Sequence, residues 1–355
     1  MRLTALNEFY GATRDARKLI VVDLGFLGDS LHLVPALWEL RAQYPRAELH
    51  VLSSPLGAEV VRLAPCVDRV WALELVPAKR SWGEQGRMVR ALRRERFDVA
   101  FNFSGNDRTI IMTALTGARW RAAHAAGREH FWNPWLIPNW VPRRAANLAV
   151  FEQRRQVLAA LGVPLTAPRF DLRIATEAAA WAAGLVKSGT VHLSLNSANP
   201  LKEWPVTNYA ALVQRLAREF PGLPLAVSAM AKEREQARVR EFLAAAPGVD
   251  VTVLPADMSI GQLAAVIQRC RLHFGPDSGV MHLAVALGVP TVSLFREQGN
   301  FREWLPALPG HDVLLAPCPC VDHHDAPCEA TGQARCLAAI TVDTVAERIA
   351  GRLRK

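Results

Sequence analysis

Along this chain, short unbroken apolar runs alternate with longer segments whose apolar residues recur every three or four positions. "KLIVVDLG" (18–25) is such a run, as expected of a strand buried on both faces. "DSLHLVPALWELRAQYP" follows with helical spacing and stops near Pro45. "AELHVLSS", "VDRVWAL" and "FDVAFNFS" read as further strands, and "NLAVFEQRRQVLAALGV" as a helix. The pattern then restarts. "TVHLSLN" is a strand, a polar loop follows, and "NYAALVQRLAREF" is a helix that Thr207 or Asn208 is placed to cap. "PLAVSAM", "VDVTVLPA", "RLHFGPDS", "TVSLF" and "HDVLLAP" supply more strands, with helices between most of them. Strands that alternate with helices predict α/β architecture, with parallel sheets covered on both faces. The restart near residue 175 predicts two Rossmann-like domains, over 1–172 and 173–355. They meet in "LTAPRFDLRIATEAA", which carries Pro168 and little periodicity. Open parallel sheets bind ligands at the carboxyl ends of their strands, so two in tandem predict a cleft between those ends.

Composition narrows the picture. The 355 residues are half hydrophobic, enough for two cores. No apolar run approaches the roughly 18 residues of a membrane span. The opening "MRLTALNEFYGATRDARKL" is interrupted by Glu8, Arg14, Asp15 and Arg17 and does not read as a signal peptide, so a cytoplasmic protein is expected. Residues 1–17 receive no role from the pattern. The net charge of +9 is unevenly placed. Residues 1–175 hold 25 Lys and Arg against 16 Asp and Glu, and residues 176–355 hold 17 against 17. One half is therefore a candidate for meeting a polyanion or an anionic membrane. The plain alternative is a solvated arginine-rich surface. No zinc finger or aromatic RNA-binding signature accompanies the charge, so nucleic acid is not expected as a partner.

Three loops hold candidate chemistry. In "DLGFLGDSLH" (23–32), Asp29 stands near a helix start, either as a cap with Ser30 or as a general base. The spacing is not the GxGxxG dinucleotide fingerprint, which weighs against a redox Rossmann enzyme. In "NSANPLKEWPVTNY" (196–209), Lys202 follows a strand and suits a diphosphate. In "GPDSGVMHLAVALG" (275–288), a helix start offers free N–H groups, Ser278 a hydroxyl, and Gly279 close backbone approach. His282 lies four residues beyond Ser278, on the same helical face. Asp277 is placed to cap that helix or to orient nearby amides. Glu233 in "AMAKEREQA" is a weaker candidate for ribose hydroxyls, with a surface glutamate at a helix start as the plain reading.

Taken in order, "GFLGDSLHLVPALWELRAQYP", "KEWPVTNYAALVQRL" and "GPDSGVMHLAVALGVPTVSLF" resemble the ADP-heptose:lipopolysaccharide heptosyltransferases, glycosyltransferase family 9. The resemblance runs from about Lys18 to the C-terminal helix. It implies a GT-B glycosyltransferase architecture in which the first domain binds an anionic lipid A–core acceptor and the second an ADP-heptose donor. It implies inverting transfer that needs no metal, and peripheral contact with the inner face of the inner membrane. By the same resemblance Asp29 matches the general base and Lys202 the phosphate lysine. Asp277, Ser278, Gly279 and His282 match the donor diphosphate motif, and Glu233 matches a ribose-contacting glutamate. Where many relatives carry a His-Pro-Gly-Ala-like run before the lysine, this chain has "SLNSAN", whose Asn196 and Ser197 remain able to meet phosphate or acceptor. Two alternatives stand beside this reading: a GT-B transferase for another nucleotide sugar, and a non-catalytic glycolipid- or nucleotide-binding protein. Asp29 weighs against the second, since binding alone does not require a base.

Four of the six cysteines, Cys318, Cys320, Cys328 and Cys336, fall within 19 residues in the spacing C-x-C-x7-C-x7-C, with His323 and His324 between. This is not the common paired-CxxC zinc pattern. In a cytoplasmic chain, a structural zinc or iron explains such crowding better than disulfides, and free thiols are the alternative. Cys66 and Cys270 lie in helix-like surroundings and are expected to be buried.

Overall fold

Each of the two apolar patterns builds its own sheet. The computed structural model describes residues 5–74, 82–124, 132–142, 147–318, 328 and 330–354. The chain divides into two units, Met1–Arg173 and Ile174–Lys355. In the first, six parallel strands are arranged β3-β2-β1-β4-β5-β6: β1 (Lys18–Asp23), β2 (Glu48–Ser53), β3 (Arg69–Ala72), β4 (Val99–Asn102), β5 (Trp120–His124) and β6 (Asn139–Val141). The second repeats that arrangement as β9-β8-β7-β10-β11-β12. Its strands are β7 (Thr190–Ser194), β8 (Leu225–Ser228), β9 (Val251–Val253), β10 (Cys270–Pro276), β11 (Thr291–Arg296) and β12 (His311–Ala316). β5 and β6 escape the sequence pattern because "WRAAH" and "NWV" are short and carry no apolar run. They belong to the sheet by pairing with β4 and with each other.

The β1 run shows why it must be apolar throughout. Leu19 and Val21 join Leu33, Leu37 and Leu40 of helix Leu27–Gln43, and Val157 and Leu158 of helix Val150–Ala160. Ile20 and Val22 join Leu92 and Phe97 on the opposite face. Alternate residues thus fill two cores, as a strand with period two requires.

Residues near the N-terminus, unassigned from sequence, are part of this core. Phe9 is fully buried, with its ring edge-on to Phe101 and Trp120 at 5.9 and 6.0 Å. The Tyr10 N–H donates to the Leu161 carbonyl, and the Thr13 and Tyr44 hydroxyls share a 2.8 Å hydrogen bond. Gly162 takes φ +79°, and a Cβ there would lie 2.2 Å from the Asn7 carbonyl oxygen. Glycine is needed on both counts.

The second sheet is two-sided in another sense. Val191, Leu193, Leu272 and Phe274 pack with Trp204, Tyr209 and Leu212. The intervening residues His192, Ser194, Ser228, His273 and Ser293 are equally buried but polar. His192 and His273, paired in register on β7 and β10, meet Nδ1 to Nδ1 at 2.8 Å, and His192 Nε2 lies 3.0 Å from Ser228 Oγ. Burial pushes His192 down to about 4, and burial with its histidine neighbour pushes His273 well below the usual imidazole range. Helix Val206–Glu219 begins directly behind Pro205 without a side-chain cap, so neither Thr207 nor Asn208 caps it; both fall inside its first turn. Among the described residues no helix is long and apolar enough to cross a membrane.

Candidate active site

The loop after β1 is tightly closed. Helix Leu27–Gln43 starts two residues before Asp29, and Asp29 Oδ2 accepts the Phe26 N–H at 3.0 Å. The capping expected of Asp29 is therefore present, from within the first turn. Ser30 is buried there instead. A Cβ on Gly25 would fall 2.3 Å from the Asp29 Cβ and 3.0 Å from Asp23 Oδ1, so only glycine lets the loop fold over both acids. Asp29 keeps 30% of its side chain exposed, so it has capacity left beyond the cap.

Two residues missed from sequence stand behind it. Asp23 closes β1, wholly buried, and lies 2.9 Å from Arg154 Nη2. Arg154 also donates to the Asp29 backbone carbonyl, and its Nη2 sits 3.9 Å from Asp29 Oδ1. Burial pushes the Asp23 carboxyl above its ordinary range, against the pull of Arg154. A signal for Arg154 was available: it lies three residues after Phe151 and four before Leu158, on the buried stripe of its helix.

In the second unit the loops after β7 and β10 are joined. Ser197 Oγ donates to the Asp277 carbonyl at 2.9 Å. Lys202 Nζ lies 2.5 Å from Asp277 Oδ2, and His282 Nε2 is 3.6 Å from Asp277 Oδ1. Burial works to raise the Asp277 carboxyl, but the His282 ring and the Lys202 ammonium outweigh it and hold it below the usual range. Ser278, rather than Asp277, caps helix Gly279–Ala286, accepting the Met281 N–H at 3.5 Å. Asn196, buried beside Ser197, has neither amide atom hydrogen-bonded among the described residues. Lys202, Asp277, Ser278, Gly279 and His282 are thus brought together around one helix start.

Glu233 is not brought into this group. Its side chain is 83% exposed and pairs with Arg240. Two residues on, Glu235 is buried and accepts the Met230 N–H at 2.9 Å. A second network escaped the sequence. Buried Glu203 accepts the Ser197 N–H at 2.8 Å and pairs with Arg234 and Arg238, which sets the shape of the loop carrying Lys202.

The cysteines divide. Cys66 and Cys270 are buried, and burial pushes both thiols up to about 12. Cys318 and Cys336 meet at Arg296, whose Nη2 lies 3.4 Å from Cys318 Sγ. Cys328 is buried. Cys320, His323 and His324 lie outside the described residues. Among the described residues, the ligand-type groups converging closely enough for one ion are Glu48, His50 and Glu95, and there Lys18 already supplies positive charge, 2.9 Å from Glu95. The described thiols do not form such a set.

The first unit thus offers a carboxylate at the end of its central strand, and the second a cation-flanked helix start. The model of glycosyltransferase family 9 (heptosyltransferase) matches residues 85–324. The chain belongs to this family. The lipopolysaccharide core heptosyltransferase OpsX of Haemophilus influenzae is 22% identical over 294 residues, covering 82% of each chain. A family 9 glycosyl transferase structure from Veillonella parvula superposes with TM-score 0.81 at 20% identity, over 95% of this chain and 97% of that one. The structure of E. coli ADP-heptose lps heptosyltransferase II gives TM-score 0.76 at 20% identity, over 95% and 98%. As a family 9 member the chain is a glycosyltransferase, and its two six-stranded α/β units are those of the GT-B fold.

Proposed function

We propose that the protein transfers a heptose from ADP-heptose to a lipopolysaccharide core acceptor with inversion at the anomeric carbon. The observation that carries this is the joined pair of loops in the second unit. Lys202 and His282 flank the start of helix Gly279–Ala286 near Asn196, whose amide has no hydrogen-bond partner among the described residues, an arrangement suited to a diphosphate. The names of the relatives, heptosyltransferases acting on lipopolysaccharide and, in one case, on ADP-heptose, supply the sugar and acceptor class.

In this reading Asp29 accepts the proton of the acceptor hydroxyl as that oxygen bonds to the anomeric carbon. The bond from that carbon to the β-phosphate oxygen breaks, and its electron pair leaves with ADP. Lys202 and the helix start stabilise the charge that grows on the leaving phosphate. Lys202 is also paired with Asp277, so the donor phosphate takes over a cation already held in place. Glu233 is assigned to the ribose on resemblance alone, and Glu235 is the nearby alternative.

The acceptor side is assigned to the first unit by the family resemblance, and the charge surplus of that unit fits the assignment. Arg93, Arg94 and Arg119 are exposed, whereas Arg121 is used internally, donating to the carbonyls of Leu136 and Ala118. Arg143 and Arg144 lie outside the described residues. Exposed arginines, with Trp135 at 81% exposure, suit work at the anionic inner face of the inner membrane from the cytoplasm.

A donor and acceptor panel tests the reading: ADP-heptose against other nucleotide sugars, truncated lipopolysaccharides as acceptors, and linkage read by NMR. ADP-heptose is expected to be consumed with heptose appearing on the core. Turnover with a different nucleotide sugar alone would replace the donor assignment.

A further inference from the structure

A buried arginine ties Asp29 to an acid six residues earlier. Asp23 is enclosed at the end of β1, where its Oδ1 accepts the Gly25 N–H at 3.0 Å and its Oδ2 lies 2.9 Å from Arg154 Nη2. Arg154 is itself buried, bonded to the Asp29 carbonyl, and 3.9 Å from Asp29 Oδ1. Asp29 alone of the three reaches solvent appreciably.

We propose that Asp23 is a positioning residue for sugar transfer: acting through Arg154, it fixes where Asp29 stands and how strongly a positive charge acts on it when the acceptor hydroxyl gives up its proton. The proposal rests on the reading of Asp29 as the base.

Packing alone does not account for the pair. A buried ion pair adds little stability over an apolar pair of similar volume, because both charges must be desolvated. Here the pair lies directly behind a carboxylate at the carboxyl end of the central strand, where ligands of such sheets bind. The glycine that closes the loop leaves no slack between the two acids. Among the described residues, charged and titratable groups face Asp29 from three elements. Asp23 comes from β1 and Arg154 from helix Val150–Ala160, and Ser104, after β4, helps to hold the Asp23 carboxyl down against burial. His32, one turn along Asp29's own helix, stacks on Phe151 at 6.1 Å. Arg155 turns away to Glu39 and Glu152.

Two acids therefore share one cation. Arg154 Nη2 lies 2.9 Å from Asp23 Oδ2 and 3.9 Å from Asp29 Oδ1, so Asp23 offsets part of the positive charge that faces Asp29. Removing Asp23's charge leaves Arg154 acting on Asp29 alone. Removing Arg154 leaves two facing carboxylates.

The test is the pH dependence of kcat/KM in the full-length enzyme, with ADP-heptose and truncated lipopolysaccharide. Asp23→Asn is expected to move the acid limb down, and Arg154→Gln to move it up, each by about one pH unit. ADP affinity by calorimetry stays at the wild-type value in both. Folded variants with unmoved acid limbs would overturn the proposal. Should either fail to fold, Asp23→Glu and Arg154→Lys keep the charges and change the geometry: kcat is expected to fall about tenfold with the limb in place, and a wild-type kcat would overturn it. Asp29→Asn separates the two claims. Wild-type turnover in that variant sinks the base itself, whereas an inactive Asp29→Asn beside unmoved limbs sinks only the role of Asp23.

Discussion

The two units share one sheet order and offer side chains of opposite charge at their loop tips. At the loop after β1 the acid is outermost: Asp29 is 30% exposed and its cation, Arg154, 7%. At the loops after β7 and β10 the cation is outermost: Lys202 is 40% exposed and its acid, Asp277, 10%. Each half buries one member of an ion pair and offers the other. An offered carboxylate suits a hydroxyl proton, and an offered ammonium beside a helix start suits a phosphate. The fold is indifferent to this choice; the residue at the loop tip makes it.

Breaking the acidic loop tip has the largest expected effect. Asp29→Asn retains a side-chain oxygen for the Phe26 N–H, so thermal unfolding should stay near wild type while kcat falls by roughly two to four orders of magnitude. A folded variant with near wild-type turnover would leave Asp29 as a cap only. Breaking the basic loop tip comes next. Lys202→Ala should lower kcat and weaken ADP binding together, each by about tenfold or more, because the lost charge acts on bound donor and leaving group alike. Unchanged ADP calorimetry and unchanged kcat would remove Lys202 from the site.

A third test contrasts the sheets themselves. His192 is neutral in the fold, held down to about 4, but takes a proton near 6.5 when unfolded. The unfolded chain binds more protons between those values, so stability should fall as pH drops from about 6.5 towards 4, by on the order of 3 kcal/mol from this group. Hydrogen exchange should show β7 and β10 opening earlier at acid pH, and equal protection at pH 5 and 7 would contradict this. The smallest effect concerns surface charge. Binding to acidic lipid vesicles should weaken between low and physiological salt, and Arg93→Glu with Arg94→Glu should weaken it further. Association that ignores salt, or none at low salt, would return the arginines to solvent.

The parallel α/β organisation was legible because β1, β7, β10 and β11 are short, wholly or largely buried segments that alternate with helical spacing. β5 and β6 were not, since a short strand is defined by its neighbour rather than by its own residues. The grouping of Lys202 with Asp277 and His282 was readable as loops at strand ends. Asp23–Arg154 and Glu203–Arg234 were not, because such pairs join residues 131 and 31 positions apart and leave no local period. The one trace was charge on an otherwise apolar helical stripe, at Arg154 and Arg155, where burial is tolerable only with a partner.

The N-terminal anchor carries a lesson for anyone attaching a carrier or label to this enzyme. Phe9 is wedged against rings from β4 and β5, and the Asn7 carbonyl lies against Gly162. A carrier fused ahead of Leu6 should be tolerated if its linker is long and polar. Trimming the chain back to Lys18, where the first strand begins, would uncork the floor of the domain that holds Asp29, and is expected to give an enzyme that unfolds at lower temperature.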